Sequence, residues 1–293
     1  MLLKKQHAVK PAKWNISMRK IAVANHKGGV GKSTTVINLG AALAGMGHRV
    51  LLIDTDAQGH TSLGLNIKTK DKQTIAELLC DEDVTASEVI QETDVKNLDI
   101  IPSDLSLAIA ELKLSTMPAK EFRLRNKLNT TILETSYDFI IFDCAPTFGT
   151  LPMNVFTTAT EIILPIQLGY FSLEGVSNFV DTINFINKTM GPLINHKITI
   201  EGILITFFDT RTKLAREILS AVQDIFKDKL FQTTIPQNIK LNEAQSNGKS
   251  IFDYDPTCRG AEAYTNLALE VLKRRTDEQY FANQKRSKEE AIV

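Results

Sequence analysis

The sequence predicts an α/β protein with a doubly wound, mostly parallel sheet flanked by helices. Seven apolar runs rich in β-branched residues have the pattern of strands buried on both faces. They cover residues 20–24, 49–53, 98–102, 137–143, 161–165, 198–206 and 230–235. Segments with helical period separate the runs, and this alternation favours right-handed crossovers within one sheet.

The helical segments place apolar side chains three and four residues apart, as amphipathic helices do. The first is followed by Gly47, a residue suited to ending a helix. A short helix at residues 74–80 is also expected, inside a polar insertion. The longer helices are predicted at residues 33–46, 105–114, 119–133, 173–188, 213–226 and 260–274.

Composition excludes several classes of protein. With 43% hydrophobic and 23% charged residues, the chain of 293 residues is not wholly disordered. Lys+Arg and Asp+Glu number 34 each, so any affinity for nucleic acid must come from local placement of charge. Three widely spaced cysteines fit neither a disulfide framework nor a CxxC metal site, and they indicate a reducing cytosol. No apolar run approaches the ~18 residues of a transmembrane helix.

We expect three segments along the chain: a basic flexible arm at 1–18, one folded domain at 19–275 and a charged tail at 276–293. Residues 1–20 contain six basic and no acidic side chains, and they lack the apolar core of a secretory signal. The alternative for the arm is an artefact of gene annotation. The tail is expected to be a frayed helix or disordered.

The motif KGGVGKST at residues 27–34 predicts a phosphate site, because it lies between the first predicted strand and the first helix. Its glycines let successive N–H groups surround an anion, and the helix directs its positive end to the same place. Lys32 supplies charge to β- and γ-phosphates, and the Ser33 hydroxyl suits Mg²⁺. The candidate nucleotide-binding residues here are Lys27, Gly28, Gly29, Val30, Gly31, Lys32, Ser33 and Thr34.

Aspartates end two further predicted strands. Asp54 and Asp56 share one face of an extended strand, where a carboxylate can orient water or hold Mg²⁺. The alternative for one of them is a helix-capping or turn role. Asp143 ends the apolar run at 137–143, as a Walker B aspartate does, and is expected to hold a magnesium-bound water.

Residues 27–33 resemble the deviant Walker A loop of the ParA/MinD family of ATPases. His26 stands where the strict motif has its first glycine, and Lys27 begins the glycine run instead. In that family this early lysine contacts the nucleotide of the partner in a dimer, and the resemblance implies the same for Lys27. The alternative is a solvated loop lysine. The resemblance also makes Asp56 the residue that positions water, and Asp54 an organiser of the magnesium side.

The resemblance to ParA/Soj partition ATPases covers about residues 19–273. It is carried by residues 147–154, 162–167, 170–175, 202–213, 235–244, 254–256 and 260–264. It implies that loops around two strand ends hold the adenine, with Thr206, Phe208, Pro236 and Asn238 as the candidate residues. Ala57, Gly169 and Gln237 depart from the usual pattern, and the last of these departures is expected to weaken DNA binding.

The same resemblance implies DNA contacts from the C-terminal region. Residues 201–275 include eleven basic and ten acidic residues, so composition alone does not predict a DNA-binding surface there. A solvated surface is the alternative for each single residue. The candidate DNA-binding residues are Arg211, Arg216, Lys240 and Arg259, and residues 273–275 are secondary candidates.

Two related classes of ATPase share the glycine loop but fit less well. MinD-like membrane ATPases need a terminal amphipathic helix with a continuous apolar face, which residues 276–293 lack. Iron proteins of the nitrogenase type need two cluster cysteines, and the spacing of Cys80, Cys144 and Cys258 does not match.

The resemblance thus implies a Mg²⁺-dependent ATPase that converts ATP and water to ADP and phosphate. ATP is expected to drive formation of a homodimer that binds nonspecific double-stranded DNA, and hydrolysis stimulated by a ParB-like adaptor is expected to release it. No membrane partner is expected, and the implied location is cytoplasmic and nucleoid-associated. The alternative is a ParA-like positioning protein for a non-DNA cargo, such as a carboxysome or chemosensory cluster, with the nucleoid as matrix.

Overall fold

The computed structural model describes residues 18–169, 172–208 and 213–290. At its centre lies an eight-stranded sheet in the order β3-β4-β2-β5-β1-β6-β7-β8. Its pairings are parallel except that between β3 and β4. The strands are β1 (Arg19–Val23), β2 (Val50–Thr55), β3 (Gln91–Glu92), β4 (Leu98–Ile101), β5 (Phe139–Cys144), β6 (Glu161–Gln167), β7 (Thr199–Phe208) and β8 (Leu230–Pro236).

Helices connect the strands and cover both faces of the sheet. Within the part of the chain that the structure describes, no helix combines the length and apolar character needed to cross a membrane. The α-helices are α1 (Lys32–Gly45), α2 (His60–Gly64), α3 (Ile75–Cys80), α4 (Ala86–Val89), α5 (Ser106–Leu114), α6 (Arg123–Leu128), α7 (Thr131–Ser136), α8 (Thr150–Thr158), α9 (Ser172–Thr189), α10 (Gly191–Ile194), α11 (Lys213–Phe226), α12 (Ile239–Ser246), α13 (Ile251–Tyr254) and α14 (Arg259–Glu290).

Two apolar cores lie on opposite faces of the sheet. Alternate residues of a strand point to opposite faces, so Leu51 and Ile53 of β2 enter one core and Leu52 enters the other. The first core includes buried residues of α3, α8 and α9, and the second includes those of α1 and α14. This two-sided burial explains the near-continuous apolar runs of the sequence and confirms the predicted doubly wound fold.

The seven predicted strands are confirmed to within two residues at each end. The single helix predicted at 119–133 is wrong: α6 and α7 replace it. Asn129 and Thr130 leave helical geometry between them, and the Thr130 side chain caps α7 by accepting a hydrogen bond from the Leu133 N–H. α14 continues through the predicted boundary at 275/276 to Glu290, while residues 1–17 of the predicted arm lie outside the described residues.

The topology gathers the motifs at one end of the sheet. Parallel strands place their carboxyl ends together, so the segments after β1, β2, β5, β7 and β8 meet at that end. The strand register sets Asp54 of β2 directly beside Asp143 of β5. Val23, the last residue of β1, is the neighbour of Asp143 on its other side.

Candidate nucleotide site

The loop between β1 and α1 needs glycine at two positions. Gly29 has φ 72° and Gly31 has φ 84°, both in the left-handed region that side chains rarely adopt. Gly31 immediately precedes α1, so this turn delivers the helix N-terminus to the loop. Backbone N–H groups at the start of α1 therefore face the space that the loop encloses, as an anion site requires.

Hydrogen bonds to β6 and β7 hold this loop in place. Asn25 donates from Nδ2 to the carbonyl of Pro165 at 2.7 Å, and its Oδ1 accepts the Lys27 N–H at 2.9 Å. The Thr206 hydroxyl lies 2.9 Å from the Val30 carbonyl and 3.0 Å from that of Ile166, so it bridges the loop and β6. The loop therefore has a fixed shape in the protein alone.

The two lysines of the loop occupy different environments. Lys32 is buried, and its Nζ donates to the Lys27 carbonyl at 3.2 Å. Burial lowers the pKa of Lys32, and the negative charges of Asp143 and Asp56 partly oppose that change. Lys27 is exposed at the rim of the loop. One lysine thus faces the interior of the site, while the other lies where a second molecule can reach it.

Asp143 presents one oxygen that the protein does not satisfy. Its Oδ2 accepts a hydrogen bond from the buried Thr61 hydroxyl at 2.7 Å. Its Oδ1 is buried and has no hydrogen-bond partner among the described residues. Burial raises the pKa of this carboxyl, while the hydroxyls of Ser33 and Thr61 act in the opposite direction.

Asp54 differs from Asp143 because both of its oxygens are occupied. Oδ2 accepts from the N–H of Ser62 at 2.9 Å and from its hydroxyl at 2.8 Å. Oδ1 accepts the Asp56 N–H at 3.2 Å. Burial raises the pKa of Asp54, and the neighbouring charge of Asp143 raises it further. Asp54 therefore anchors the Asp56 turn and α2 through both of its oxygens.

Asp56 lies half-buried on the turn after β2. Its Oδ1 accepts the Gln58 N–H at 3.0 Å, so the carboxylate also shapes the turn, the alternative role considered for one of these aspartates. The turn ends at Gly59, where φ is 60° and a Cβ would lie 2.7 Å from the Ser103 carbonyl. Only glycine fits this position, which fixes the direction in which the chain leaves Asp56.

The predicted adenine residues come from adjacent strands, β7 and β8. Phe208 and Pro236 are neighbours in the register of these strands. Thr206 is buried, with its hydroxyl directed to the glycine loop as described above. Asn238 caps α12, where its Oδ1 accepts the Lys240 N–H at 2.9 Å. Thr206 therefore contacts the glycine loop, whereas Phe208 and Pro236 lie side by side on β7 and β8 and Asn238 caps the helix that follows β8.

The predicted DNA-binding residues are described only in part. Arg211 lies outside the described residues, and Arg216 lies in α11 with its side chain undescribed. Lys240 forms an ion pair with Glu243 at 2.9 Å, and Arg259 is exposed at the first turn of α14. Lys240 and Arg259 lie at the starts of α12 and α14. These two helix starts are adjacent, as the close approach of Gly260 to Leu241 shows: a Cβ on Gly260 would lie 3.0 Å from Leu241 Cγ.

Sequence reasoning missed the residues that hold the carboxylates. Thr61 and Ser62 bind Asp143 and Asp54, and Asn25 fixes the loop that carries Lys27. The available signal is the pair of hydroxyl residues two and three positions after Gly59, at the carboxyl end of a strand that ends in aspartates. Buried carboxylates need donors, and a turn followed by Thr-Ser supplies them.

The fold and site together define a P-loop nucleotide-binding α/β protein. A family model described as an AAA domain matches residues 18–200. The sporulation initiation inhibitor protein Soj of Bacillus subtilis is 43% identical over 252 residues, which cover 86% of this chain and 97% of Soj. The chromosome partitioning protein ParA of Caulobacter vibrioides is 37% identical over 263 residues, covering 89% and 97%.

A solved structure extends the comparison to bound ligands. Cobyrinic acid a,c-diamide synthase from Mycobacterium smegmatis, with bound ATP analog and magnesium, has a TM-score of 0.74. It is 31% identical in sequence, and the match covers 88% of this chain and 96% of that one. This chain belongs to the ParA/Soj family of partition ATPases, which confirms the predicted resemblance.

Proposed function

We propose that this protein is a Mg²⁺-dependent partition ATPase that cycles between an ATP-bound homodimer on DNA and a released state. The observation that carries the proposal is the unsatisfied Oδ1 of Asp143 beside Lys32 and Ser33, at the mouth of a preformed glycine loop. An unpaired buried carboxylate oxygen is costly, and a cation or its bound water removes that cost.

The residues present fit a magnesium–triphosphate complex. Ser33 would bind Mg²⁺ and Asp143 would hold a magnesium-bound water, and the ion would supply positive charge at the phosphate oxygens. The loop N–H groups and the start of α1 bind the phosphates, and Lys32 offsets negative charge that develops during transfer. Asp54 would act in the outer shell of the magnesium site, where its oxygens accept hydrogen bonds from Ser62 and Asp56.

Asp56 is assigned to the attacking water. The water oxygen bonds to the γ-phosphorus as the bond from that phosphorus to the β–γ bridging oxygen breaks. One proton of the water passes to a phosphate oxygen, and ADP and phosphate result. The hydrogen bond from the Asp56 N–H to Asp54 and the fixed turn at Gly59 hold the carboxylate at the site. Positioning of this kind supplies much of the rate in phosphoryl transfer, because the protein does little covalent chemistry.

Lys27 is assigned to the nucleotide of a second copy. Its backbone is held on both sides, at the N–H by Asn25 and at the carbonyl by Lys32, while the residue is exposed. A fixed backbone with an outward side chain suits a contact across a dimer interface. We expect ATP to bring two copies together in this way, and ADP to leave them apart.

DNA binding is assigned to basic residues near the starts of α12 and α14. Lys240 and Arg259 lie there, and Arg211 and Arg216 are the further candidates. Contacts of this kind reach phosphates without reading bases, so affinity falls steeply as salt rises. A ParB-like adaptor is expected to stimulate hydrolysis, and the nucleoid is the expected location of the ATP-bound form.

Hydrolysis and dimer formation test this function separately. Wild-type protein with Mg-ATP and DNA should release phosphate, and Lys32→Ala should lower that rate at least ~100-fold, the scale of a lost transition-state charge contact. Lys27→Ala should bind Mg-AMPPNP yet remain monomeric in sedimentation. The proposal fails if Lys32→Ala hydrolyses ATP normally or if Lys27→Ala dimerises like the wild type.

A further inference from the structure

His26 links two loops of the nucleotide site through its ring. It directly precedes Lys27, and its ring centroid lies 3.6 Å from that of Phe148 at an interplanar angle of 36°. Phe179 of α9, which is fully buried, lies 4.9 Å away on the same cluster. Phe148 belongs to the segment between β5 and α8, five residues after Asp143. The three rings therefore join the Lys27 loop to the segment that follows Asp143.

Packing of the ring, and not a hydrogen bond at Nε2, holds His26 in place. The Nε2 atom is buried and has no hydrogen-bond partner among the described residues. Burial lowers the pKa of His26, and the nearby charge of Lys32 lowers it further, so the neutral ring is favoured. A neutral imidazole packs against phenylalanine as an aromatic ring does.

Phe148 is the exposed side of this contact. Its side chain is 58% exposed, and the adjacent Gly149 begins the approach to α8. His26 is therefore a direct tie between the Phe148 segment and the glycine loop. Aromatic pairs stabilise beyond the area that they bury, which is enough to bias the position of a short loop.

We propose that His26 is a positioning residue for ATP hydrolysis, which acts by stacking on Phe148 so that the Lys27 loop and the segment after Asp143 keep one relative arrangement. This inference rests on the proposed ATPase function. It assigns no contact between the imidazole and the nucleotide. Displacements of about 1 Å between catalytic groups cost large factors in rate, so loss of this stack lowers turnover more than nucleotide affinity.

A double-mutant cycle on steady-state ATP hydrolysis tests the coupling. His26→Ala and Phe148→Ala should each lower kcat about tenfold and change KM for ATP about twofold or less. Because both remove the same contact, the double variant should be no slower than either single variant. Independent effects, which would multiply to about a hundredfold loss, would overturn the proposal.

Two further variants separate stacking from other roles. His26→Phe keeps an aromatic ring and removes the unpaired nitrogen, so it should restore kcat to within about twofold of the wild type. If it is as impaired as His26→Ala, the nitrogen acts and the stacking role is wrong. Phe185→Ala is the matched control, because Phe185 is a comparably exposed phenylalanine of α9, 66% exposed. It should leave kcat and KM unchanged.

Amide hydrogen exchange separates failure of this inference from failure of the ATPase function. Phe148→Ala should accelerate exchange in the peptide covering residues 24–28, whereas Phe185→Ala should not, whether or not the protein hydrolyses ATP. Unchanged exchange in Phe148→Ala would overturn the tie between the loops. Faster exchange in a protein without Lys32-dependent hydrolysis would instead overturn the proposed function and leave the tie established.

Discussion

The two ends of the central strands both bury charge, and they balance it differently. At the amino end, the buried Arg19 guanidinium contacts Glu161, the Glu201 carboxylate and the Val271 carbonyl. Arg274 adds hydrogen bonds to the carbonyls of Glu201 and Leu230. This end carries its own countercharges within the chain.

At the carboxyl end, among the residues that the structure describes, the buried and half-buried carboxylates outnumber the cations that face them. Asp54 and Asp143 are fully buried and adjacent, with Asp56 close by, and Lys32 is the cation that faces them. Burial, together with the neighbouring negative charges, raises the pKa values of the buried pair, and Oδ1 of Asp143 has no hydrogen-bond partner among the described residues. The difference indicates that the amino end is built for stability, whereas the carboxyl end is completed by a ligand.

Removing the amino-end cation should have the largest effect on stability. Arg19→Met leaves two largely buried carboxylates without this guanidinium and should lower the free energy of unfolding by about 3–5 kcal/mol. Chemical denaturation with urea measures the change. A loss under about 1 kcal/mol would mean that this network adds little and that the two ends do not differ as described.

Neutralising the carboxyl end should separate stability from activity. Asp143→Asn removes repulsion with Asp54, so the nucleotide-free protein should become more stable by roughly 1 kcal/mol or more. The same change removes the oxygen assigned to magnesium, and kcat should fall at least ~100-fold. Thermal unfolding and phosphate release give the two readouts. A destabilised, active Asn variant would contradict the comparison.

His196, at the amino end of the strands, should make the protein less stable in acid. The half-buried His196 accepts from Arg125 at Nδ1 and donates from Nε2 to the Phe156 carbonyl, and burial lowers its pKa, with Arg125 lowering it further. Because the folded-state pKa lies below the unfolded value of 6.5, the unfolded chain binds more protons as the pH falls through this window. The contribution of neutral His196 to the free energy of unfolding should be fully present above pH 6.5 and should decline as the pH falls below it.

His196→Gln should reduce this acid dependence, as measured by urea denaturation between pH 7.5 and 5.

The carboxyl-end pair, Asp54 and Asp143, should change the stability with pH in the opposite direction. Its pKa values are raised, so its contribution is fully present below the ordinary aspartate range and is lost as the pH rises through the raised values. An Asp143→Asn protein should therefore lose less stability between pH 5 and 8 than the wild type.

The smallest effect is expected at the brace between β7 and the glycine loop. Thr206→Val removes the hydroxyl that bridges Val30 and Ile166 and should cost about 1 kcal/mol. A looser loop should raise KM for ATP a few-fold with little change in kcat. If nucleotide affinity is unchanged while the protein is destabilised, Thr206 acts in the fold alone.

The sequence predicted the strands and the glycine loop because both have local signatures. Apolar runs such as 139–142 report burial on two faces, and the KGGVGKST loop reports positive φ at Gly29 and Gly31. The partners of the carboxylates have no such signature. Thr61 meets Asp143 across 82 positions of the chain, and Thr206 meets Val30 across 176. Contacts of this kind depend on strand order, which a single sequence does not state.

The six-residue helix α3 was predicted at residues 74–80, but the shorter helices and the break between α6 and α7 were not. α2, α10 and α13 are four or five residues long, too short for a helical period to appear. The break at Asn129 and Thr130 lies inside a segment whose apolar spacing continues across it, and the Thr130 cap shows how the second helix begins again.

Thermal unfolding of wild type and Asp143→Asn, each alone, with AMPPNP and EDTA, and with Mg-AMPPNP, tests the central claim most directly. We predict that the nucleotide complex raises the wild-type Tm strongly, because its magnesium ion adds positive charge beside Asp143. Asp143→Asn should start from a higher Tm and gain little from magnesium beyond the nucleotide alone. A lower starting Tm together with an undiminished magnesium-dependent gain would contradict the claim that this end of the sheet is completed by its ligand.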